Sequence, residues 1–239
     1  MLTSNPRAYA RFAGASYLGI FVLAIFANFF VLSKLIVDGD AAATWSAILA
    51  HESEFRLAVA AFFVVLILDL FIAWALFIVF RPVHGPLSAL TALFRISYTI
   101  SHIAVLLSLT TVLRIMEQGA SSSALSGFDP ALWTSFYLVG HQNGFTFTLV
   151  FFGVHLVLLG YMIVRSTFLP SLLGVLVAIA GAGYLVDGFG EILSASYGSA
   201  PNLALFIVIL PALIGEGALM AWLLVRGLNQ QKWLDAAQQ

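Results

Sequence analysis

The residues of this sequence that could do chemistry are ionisable side chains placed inside long apolar runs. Arg95 and Asp69 lie in two such runs, and His155 and Glu216 lie in two more. A charge at the centre of a lipid bilayer costs at least about 3 kcal/mol on insertion scales, so each group requires a partner. At about 1.5 Å per residue along a helix, the four residues lie at similar depths, about 10–16 Å from the same side. The sequence therefore predicts one buried polar cluster, drawn from four different helices.

Helical spacing places two further side chains on the face of Arg95. Residues three, four and seven apart project from one side of an α-helix, so Tyr98 and His102 share that face. We predict a ligand-binding cluster in which Arg95 holds an anionic group or neutralises a carboxylate. Its members are Asp69, Arg95, Tyr98, His155 and Glu216.

A second set of ionisable residues, His102, His141 and Asp187, lies nearer the opposite side of the membrane. Three His or carboxylate ligands with one open water position are what a metal-dependent hydrolase needs, so this set predicts a divalent metal site. No H-E-x-x-H motif supports it. A haem is disfavoured, because two-haem packing of His141 and His155 needs two histidines on a facing helix, and the third span offers only His102. No other cofactor is expected.

Each of these groups also has a structural interpretation. Arg95 could extend its guanidinium to the lipid headgroups, or Asp69 and Arg95 could form an ion pair that holds two helices together. Glu216 could be protonated and hydrogen-bonded to a neighbouring backbone. Neutral histidines are more often satisfied within a protein interior than bound to a metal. Residue types and spacing leave these alternatives open.

The composition of the chain dictates the elements that hold these residues. The sequence is 62% hydrophobic and 9% charged, whereas ordinary soluble domains are about 25% charged. So few charges could not cover the surface of a water-soluble fold, so the chain is predicted to be a membrane protein whose partner is the lipid bilayer. The net charge of −1 indicates no nucleic-acid partner, and the absence of cysteine removes disulfides and thiolate metal sites.

Six segments are long and apolar enough to cross a membrane, because a spanning helix requires about 20 mostly apolar residues. We predict an all-α bundle of six transmembrane helices that forms a single domain over residues 1–239. The predicted spans cover residues 12–37, 55–80, 87–116, 132–164, 169–186 and 203–225. Pro211 lies within the sixth span and is predicted to kink it. Gly174, Ala178 and Ala182 form a face of small residues in the fifth span, which predicts close helix packing.

Lysine and arginine are concentrated in alternate loops, which sets the predicted orientation. The residues on the predicted inner side are Arg7, Arg11, Arg81, Arg165, Arg226 and Lys232. Lys34, Arg56 and Arg114 are exceptions on the other side. We therefore predict cytoplasmic N- and C-termini and a multi-pass protein of the bacterial inner membrane.

The first loop on the outer side is predicted to contain a short helix that lies on the membrane surface. Asp40 is its candidate cap, because an aspartate before a helix accepts hydrogen bonds from the first turn. Trp45, Ile48 and Leu49 would form its apolar face.

Three stretches of the chain carry a family resemblance. They read RFAGASYLGIF at 11–21, ALFRISYTI at 92–100 and LGYMIVRSTFLPSLLGVLVAIAGAGYLVDGF at 159–189. Together they resemble a bacterial family of six-span membrane proteins catalogued only as domain of unknown function 4386. The resemblance implies an integral membrane protein of one domain and supplies no activity. It makes Arg95, Arg165, Tyr184 and Asp187 better candidates for a shared role.

The function that these residues favour is a small-molecule or ion binding and transport module. A small polar or anionic ligand would bind at the predicted cluster, and Glu216, beside flexible backbone after Pro211, would serve a proton- or cation-coupled site. The alternative is a membrane-embedded, hydrolase-like enzyme that uses His102, His141 and Asp187 around a metal. A third interpretation is a structural or accessory membrane subunit, or a single-haem protein. The sequence specifies neither the ligand nor the oligomeric state.

Overall fold

Helices account for most of the chain. A computed structural model describes residues 5–118, 127–194, 196–197 and 202–238. Within these ranges the secondary structure is helical, and no strand is present. In chain order the helices are α1 (Pro6–Leu35), α2 (Ala41–Ala50), α3 (Glu52–Phe80), α4 (Gly85–Gln118), α5 (Pro130–Arg165), α6 (Ser171–Leu193), α7 (Leu205–Val225) and α8 (Gln230–Ala237).

The predicted number of spans is confirmed. Among the described residues, six helices are long and apolar enough to cross a membrane by length and composition, namely α1 and α3 to α7. The largest difference from the predicted bounds is in the fifth span, which was expected to end at residue 186. Helix α6 continues to Leu193, so Asp187 lies within the helix and does not end it.

The short helix α2 forms where the sequence predicts it. Asp40 caps it, because its carboxylate accepts a hydrogen bond of 2.8 Å from the backbone N–H of Ala43. Ile48 is completely buried and so does not belong to an exposed apolar face, whereas Leu49 is 46% exposed. Ile48 belongs to an apolar core with residues of other helices. Helix α2 therefore packs on protein through this residue.

The chain divides into two compact units by the distances between its Cα atoms. Unit 1 comprises Met1–Gly19, Leu68–Thr99 and Thr146–Gln239, and unit 2 comprises Ile20–Ile67 and Ile100–Phe145. The boundaries fall inside α1, α3, α4 and α5. Each of these helices therefore contributes one part to each unit.

Paired glycines bring α5 and α6 into close contact in unit 1. A Cβ atom on Gly160 would lie 2.5 Å from the carbonyl oxygen of Gly174, and one on Gly181 would lie 2.7 Å from that of Gly153. Small residues of this kind let two membrane helices approach backbone to backbone. The predicted packing face is therefore correct at Gly174 and at Ala178, both of which lie against Gly160, and wrong at Ala182, which is exposed. The seven-residue spacing of the glycine pairs, two helical turns, places Gly181 on that face instead.

Helix α7 is irregular at its start, and Pro211 explains why. Leu205–Ile209 is a π-helix, and Pro211 follows in the first turn of the regular α-helix. Proline has no backbone N–H, so the carbonyl of Ile207, four residues earlier, loses its usual helical partner. That carbonyl lies directly against Gly183 of α6, where any Cβ atom would collide with its oxygen. The glycine at 183 in the family-like motif is therefore required by this close approach.

Two further glycines hold α7 against its neighbours in unit 1. Gly14 of α1 lies against the backbone of Leu224, and a Cβ atom on Gly215 would lie 2.6 Å from the Leu176 carbonyl oxygen of α6. These contacts bring α1, α6 and α7 close enough for side chains of all three helices to meet.

Unit 2 has an apolar core and a surface network of ion pairs. Its core includes Ala27, Val31, Ile48, Phe55, Phe62, Leu106, Leu109, Val112 and Leu138. On the surface, Arg56 contacts Glu52 at 2.7 Å and Glu117 at 3.3 Å, and Arg114 contacts Glu117 at 2.8 Å. Arg56 and Arg114 are two of the exceptions to the predicted charge distribution. Their positive charges are thus matched by local carboxylates.

Candidate functional site

An ion pair between Arg95 and Asp69 forms the centre of a charged cluster in unit 1. Arg95 of α4 is 1% exposed and Asp69 of α3 is 2% exposed. One guanidinium nitrogen of Arg95 donates directly to the Asp69 carboxylate. The Arg95 side chain is enclosed by protein, so the interpretation that it extends to the headgroups is wrong. A buried charge of this kind is tolerated only with a close partner.

The second guanidinium nitrogen of Arg95 has two further partners, and these set the tautomer of His155. It donates to the hydroxyl oxygen of Tyr17 at 2.7 Å and lies 3.2 Å from Nε2 of His155. An arginine only donates, so Nε2 accepts. The other ring nitrogen, Nδ1, lies 2.9 Å from the carbonyl oxygen of Thr91, which only accepts. His155 is therefore a neutral imidazole that carries its proton on Nδ1.

Aromatic rings surround the same guanidinium. Its central carbon lies 4.9 Å from the ring centre of Tyr17 and 5.2 Å from that of Phe152. Tyr98, buried at 7% exposure, places its ring 4.9 Å from Phe152. Cation–π contacts favour the arginine charge where water is excluded. The cluster is thus polar at its centre and aromatic around it.

Glu216 of α7 adds a second buried carboxylate to unit 1. It is 6% exposed, and its Oε1 accepts a hydrogen bond of 3.0 Å from the hydroxyl of Tyr184 in α6. Arg95 lies near enough to attract an ionised Glu216 through space. One arginine therefore lies among two carboxylates, of which only Asp69 forms a direct ion pair with it in the described structure.

The structure brings together the five residues predicted for the cluster, all of them buried in unit 1. Arg95, Asp69 and His155 are in direct contact. Tyr17, Thr91 and Phe152 also take part in the cluster and were not predicted from the sequence. Tyr17 lies in the family-like stretch at residues 11–21, a signal that could have identified it. Thr91 contributes only a backbone carbonyl, which no residue type can reveal.

The residues predicted to hold a metal do not form one site within either unit. His102 and His141 belong to unit 2 and Asp187 to unit 1. The two imidazole rings lie 6.3 Å apart, and Phe62 and Phe145 pack beside them. Among the residues that the structure describes, no group of three or more His, Cys, Asp or Glu is placed to hold a metal. The metal site stays a prediction.

Asp187 instead has a neighbour beyond the end of α6. Burial and the charge of Asp187 raise the pKa of Tyr197 above its usual range. The direct side-chain contacts of Arg95 are made by Asp69, Tyr17 and His155, and Asp187 is not among them.

Comparison with known proteins identifies a family without a known activity. Residues 12–227 match the model of a family described as "Domain of unknown function (DUF4386)", which confirms the resemblance. A protein of Archaeoglobus fulgidus, described as uncharacterized, is 29% identical over 165 residues, covering 69% of this chain and 80% of the relative. No solved structure matches the chain.

Proposed function

We propose that this chain, which belongs to the DUF4386 family, binds and transports a small ion or polar molecule at its charged cluster. The residues that would form the site are Asp69, Arg95, Tyr98, His155 and Glu216, together with Tyr17 and Tyr184. The site would lie within the membrane, because these residues belong to α1 and α3 to α7, the helices long enough to span it.

The charge balance of unit 1 is the observation that supports this proposal. Asp69 neutralises Arg95 by direct contact, so an ionised Glu216 would leave the buried cluster with one excess negative charge. An unbalanced charge in a medium of low polarity is costly, so Glu216 requires a proton or another cation. A buried carboxylate that needs such a partner is the usual binding group of a proton- or cation-coupled protein.

The surroundings of Glu216 favour exchange of that cation. The side-chain hydrogen bond that it receives comes from one tyrosine hydroxyl, whereas Asp69 is held by a guanidinium. Glu216 also lies on α7, which begins with the π-helix before Pro211. Interrupted helices at membrane depth are typical of transporter binding sites. We propose the proton as the exchanging cation, since it needs no further ligands.

Infrared spectroscopy and flux measurements test this role. Purified protein should show the C=O stretch of a protonated carboxyl group that is lost in Glu216→Gln. The band should survive in Glu191→Gln, which removes an exposed carboxylate of the same unit. In liposomes with an entrapped pH dye, a membrane potential should drive proton movement in the wild type and in Glu191→Gln. Unchanged flux in Glu216→Gln would refute the assignment of Glu216, and no flux in the wild type would refute proton transport.

The same experiments separate the other interpretations. A purely structural role for the ion pair predicts that an Asp69→Asn, Arg95→Gln double variant folds and retains the wild-type flux. A metal-dependent enzyme predicts stoichiometric zinc, iron or manganese in the purified protein. His102 and His141 are the only residues of the predicted metal set that share a unit. The transport proposal is preferred because three of its predicted residues, Asp69, Arg95 and His155, are in direct contact.

We propose a bacterial cytoplasmic membrane as the location, with both termini inside. The support is the concentration of lysine and arginine in alternate loops, together with the local pairing of Arg56 and Arg114, two of the exceptions. Fusing a reporter that is active only in the cytoplasm to either end should give an active product. A reporter that works only outside should be inactive at both ends.

A further inference from the structure

Unit 2 contains a cavity whose lining includes none of the residues of the charged cluster. Its volume is about 400 Å³, within the range of small-molecule binding sites. It is lined by polar residues from the end of α1, from the loop that follows α1 and from α5, and by the apolar side chains of Leu32, Ile36 and Phe145. We propose that this cavity binds a small organic cation, specifically a primary ammonium group that carries a short apolar chain.

The polar lining of the cavity offers several hydrogen-bond acceptors beside the amide groups of Asn28 and Gln142. Asp38 contributes a carboxylate, which only accepts. The hydroxyl of Ser33 donates its single proton to the carbonyl of Phe29, so it can only accept from a ligand. Asn28 donates from Nδ2 to the carbonyl of Ala24 at 3.0 Å, which leaves its Oδ1 as an acceptor. A ligand that satisfies the acceptors of Asp38, Ser33 and Asn28 must donate hydrogen bonds.

The charge of the lining selects a cation. Asp38 is the one carboxylate, and the lining within the described residues includes no lysine or arginine. Lys34 follows Ser33 in sequence, but its ammonium lies 5.8 Å from the ring centre of Phe30 and is not part of the lining. An ammonium ion supplies both the positive charge and three N–H donors.

His141 supplies a further observation at the cavity. The residue lines the cavity and is 4% exposed, and its Nε2 is buried with no hydrogen-bond partner among the described residues. A buried polar atom without a partner costs free energy, so a ligand donor that reached Nε2 would be favoured. The neutral tautomer of His141 that carries its proton on Nδ1 would accept at Nε2 from an N–H donor.

The local backbone is consistent with a binding site. Asn28 lies in the π-helix Phe26–Leu32, and π-helical turns inside longer helices occur frequently at functional sites. The apolar residues of the lining favour an organic cation over a bare metal ion. The described residues also offer no group of three metal ligands here. Leu32, Ile36 and Phe145 would contact the carbon chain of the ligand.

Thermal unfolding of the detergent-solubilised protein at pH 7 tests this proposal with three probes of equal length. Butylammonium should raise the melting temperature in a saturable manner, whereas butanol and butyrate should not. Asp38→Asn should weaken butylammonium binding about tenfold, because it removes a charge-assisted hydrogen bond. Glu54→Gln, which removes another exposed carboxylate of unit 2, should leave the binding unchanged.

Two further measurements complete the test. His141→Gln should weaken butylammonium binding. For this variant the dissociation constant is measured by titration calorimetry, because a change in folding stability would also shift the melting temperature. Glu216→Gln should bind butylammonium as the wild type does, because Glu216 does not line the cavity. The butylammonium result therefore does not depend on whether the transport proposal is correct. Equal effects of butanol or butyrate, or full binding by Asp38→Asn, would overturn the proposal. Stabilisation by Mg²⁺ or Zn²⁺ in place of butylammonium would indicate a metal site.

Discussion

Units 1 and 2 both bury ionisable side chains, but they satisfy them in different ways. In unit 1, Arg95 donates to Asp69, Tyr17 and His155, and the second nitrogen of His155 contacts the Thr91 carbonyl. In unit 2, His141 packs beside Phe62, and its Nε2 has no hydrogen-bond partner among the described residues. A permanent charge must be paired when it is buried, whereas a neutral imidazole can be held by aromatic packing.

The two units therefore differ in how much of their buried polar chemistry is used within the protein and how much is left for a ligand. Arg95 already has Asp69, Tyr17 and His155 as partners, so the proposed ligand would act mainly at Glu216, the carboxylate without a direct ion pair. In unit 2, Asp38, Ser33 and Asn28 line a cavity of about 400 Å³, where the proposed cation would bind. Substitutions that remove one group at a time should therefore have large effects in unit 1 and small effects in unit 2.

The largest effect is expected for Asp69→Asn. This variant keeps the size of the side chain but leaves Arg95 buried without its counter-ion, which should cost about 3–5 kcal/mol of unfolding free energy. The measurement is reversible unfolding in mixed micelles. Glu191→Gln should lie within about 0.5 kcal/mol of wild type, as surface substitutions usually do. Adding Arg95→Gln to Asp69→Asn should recover part of the loss, and a further additive loss would contradict the pairing.

His155→Phe should have the next largest effect. The ring is of similar size, but one N–H of Arg95 and the carbonyl of Thr91 both lose a partner, so the expected cost is about 1–3 kcal/mol. The same unfolding assay measures it. His155→Gln should lose less unfolding free energy than His155→Phe, because a glutamine amide can both donate and accept hydrogen bonds. Equal losses for the two variants would show that packing, and not the deduced hydrogen bonds, holds this position.

Tyr184→Phe should cost about 1 kcal/mol, because it removes one hydrogen bond to Glu216 and no charge. Its sharper effect should appear in the infrared spectrum, where the carboxyl band assigned to Glu216 should shift when its donor is lost. Tyr161→Phe, which alters an exposed tyrosine of the same unit, is the matched control. A band that is unmoved in Tyr184→Phe would contradict the contact between these residues.

The smallest effect is expected for His141→Phe in unit 2. Removing Nε2 breaks no hydrogen bond among the described residues, and the new phenylalanine ring can pack beside Phe62. The expected change is below about 1 kcal/mol, less than for His155→Phe. His141→Phe and His155→Phe are the same substitution, made once in each unit, so their difference reports the surroundings of the two histidines. A loss at His141 as large as the loss at His155 would remove the distinction between the units.

The sequence predicted much of the charged cluster because depth in a membrane follows from residue number. A helix rises about 1.5 Å per residue, so the positions of Asp69, Arg95 and His155 along their spans were enough to assign them comparable depths. Lateral position does not follow from this rule. Depth alone could not decide whether Asp69 or Glu216 pairs with Arg95. It also could not show that Tyr17 of α1 contacts the guanidinium.

The six spans were determined by the sequence alone, because hydrocarbon thickness and the need to satisfy every backbone hydrogen bond leave little choice but apolar helices of that length. Tertiary structure decided which side chains meet. The close approaches at Gly160, Gly183 and Gly215 set the neighbours of α6 and α7, and those neighbours bring Tyr184 to Glu216. Such contacts depend on the shapes of two packed surfaces, and the pattern of one helix does not contain that information.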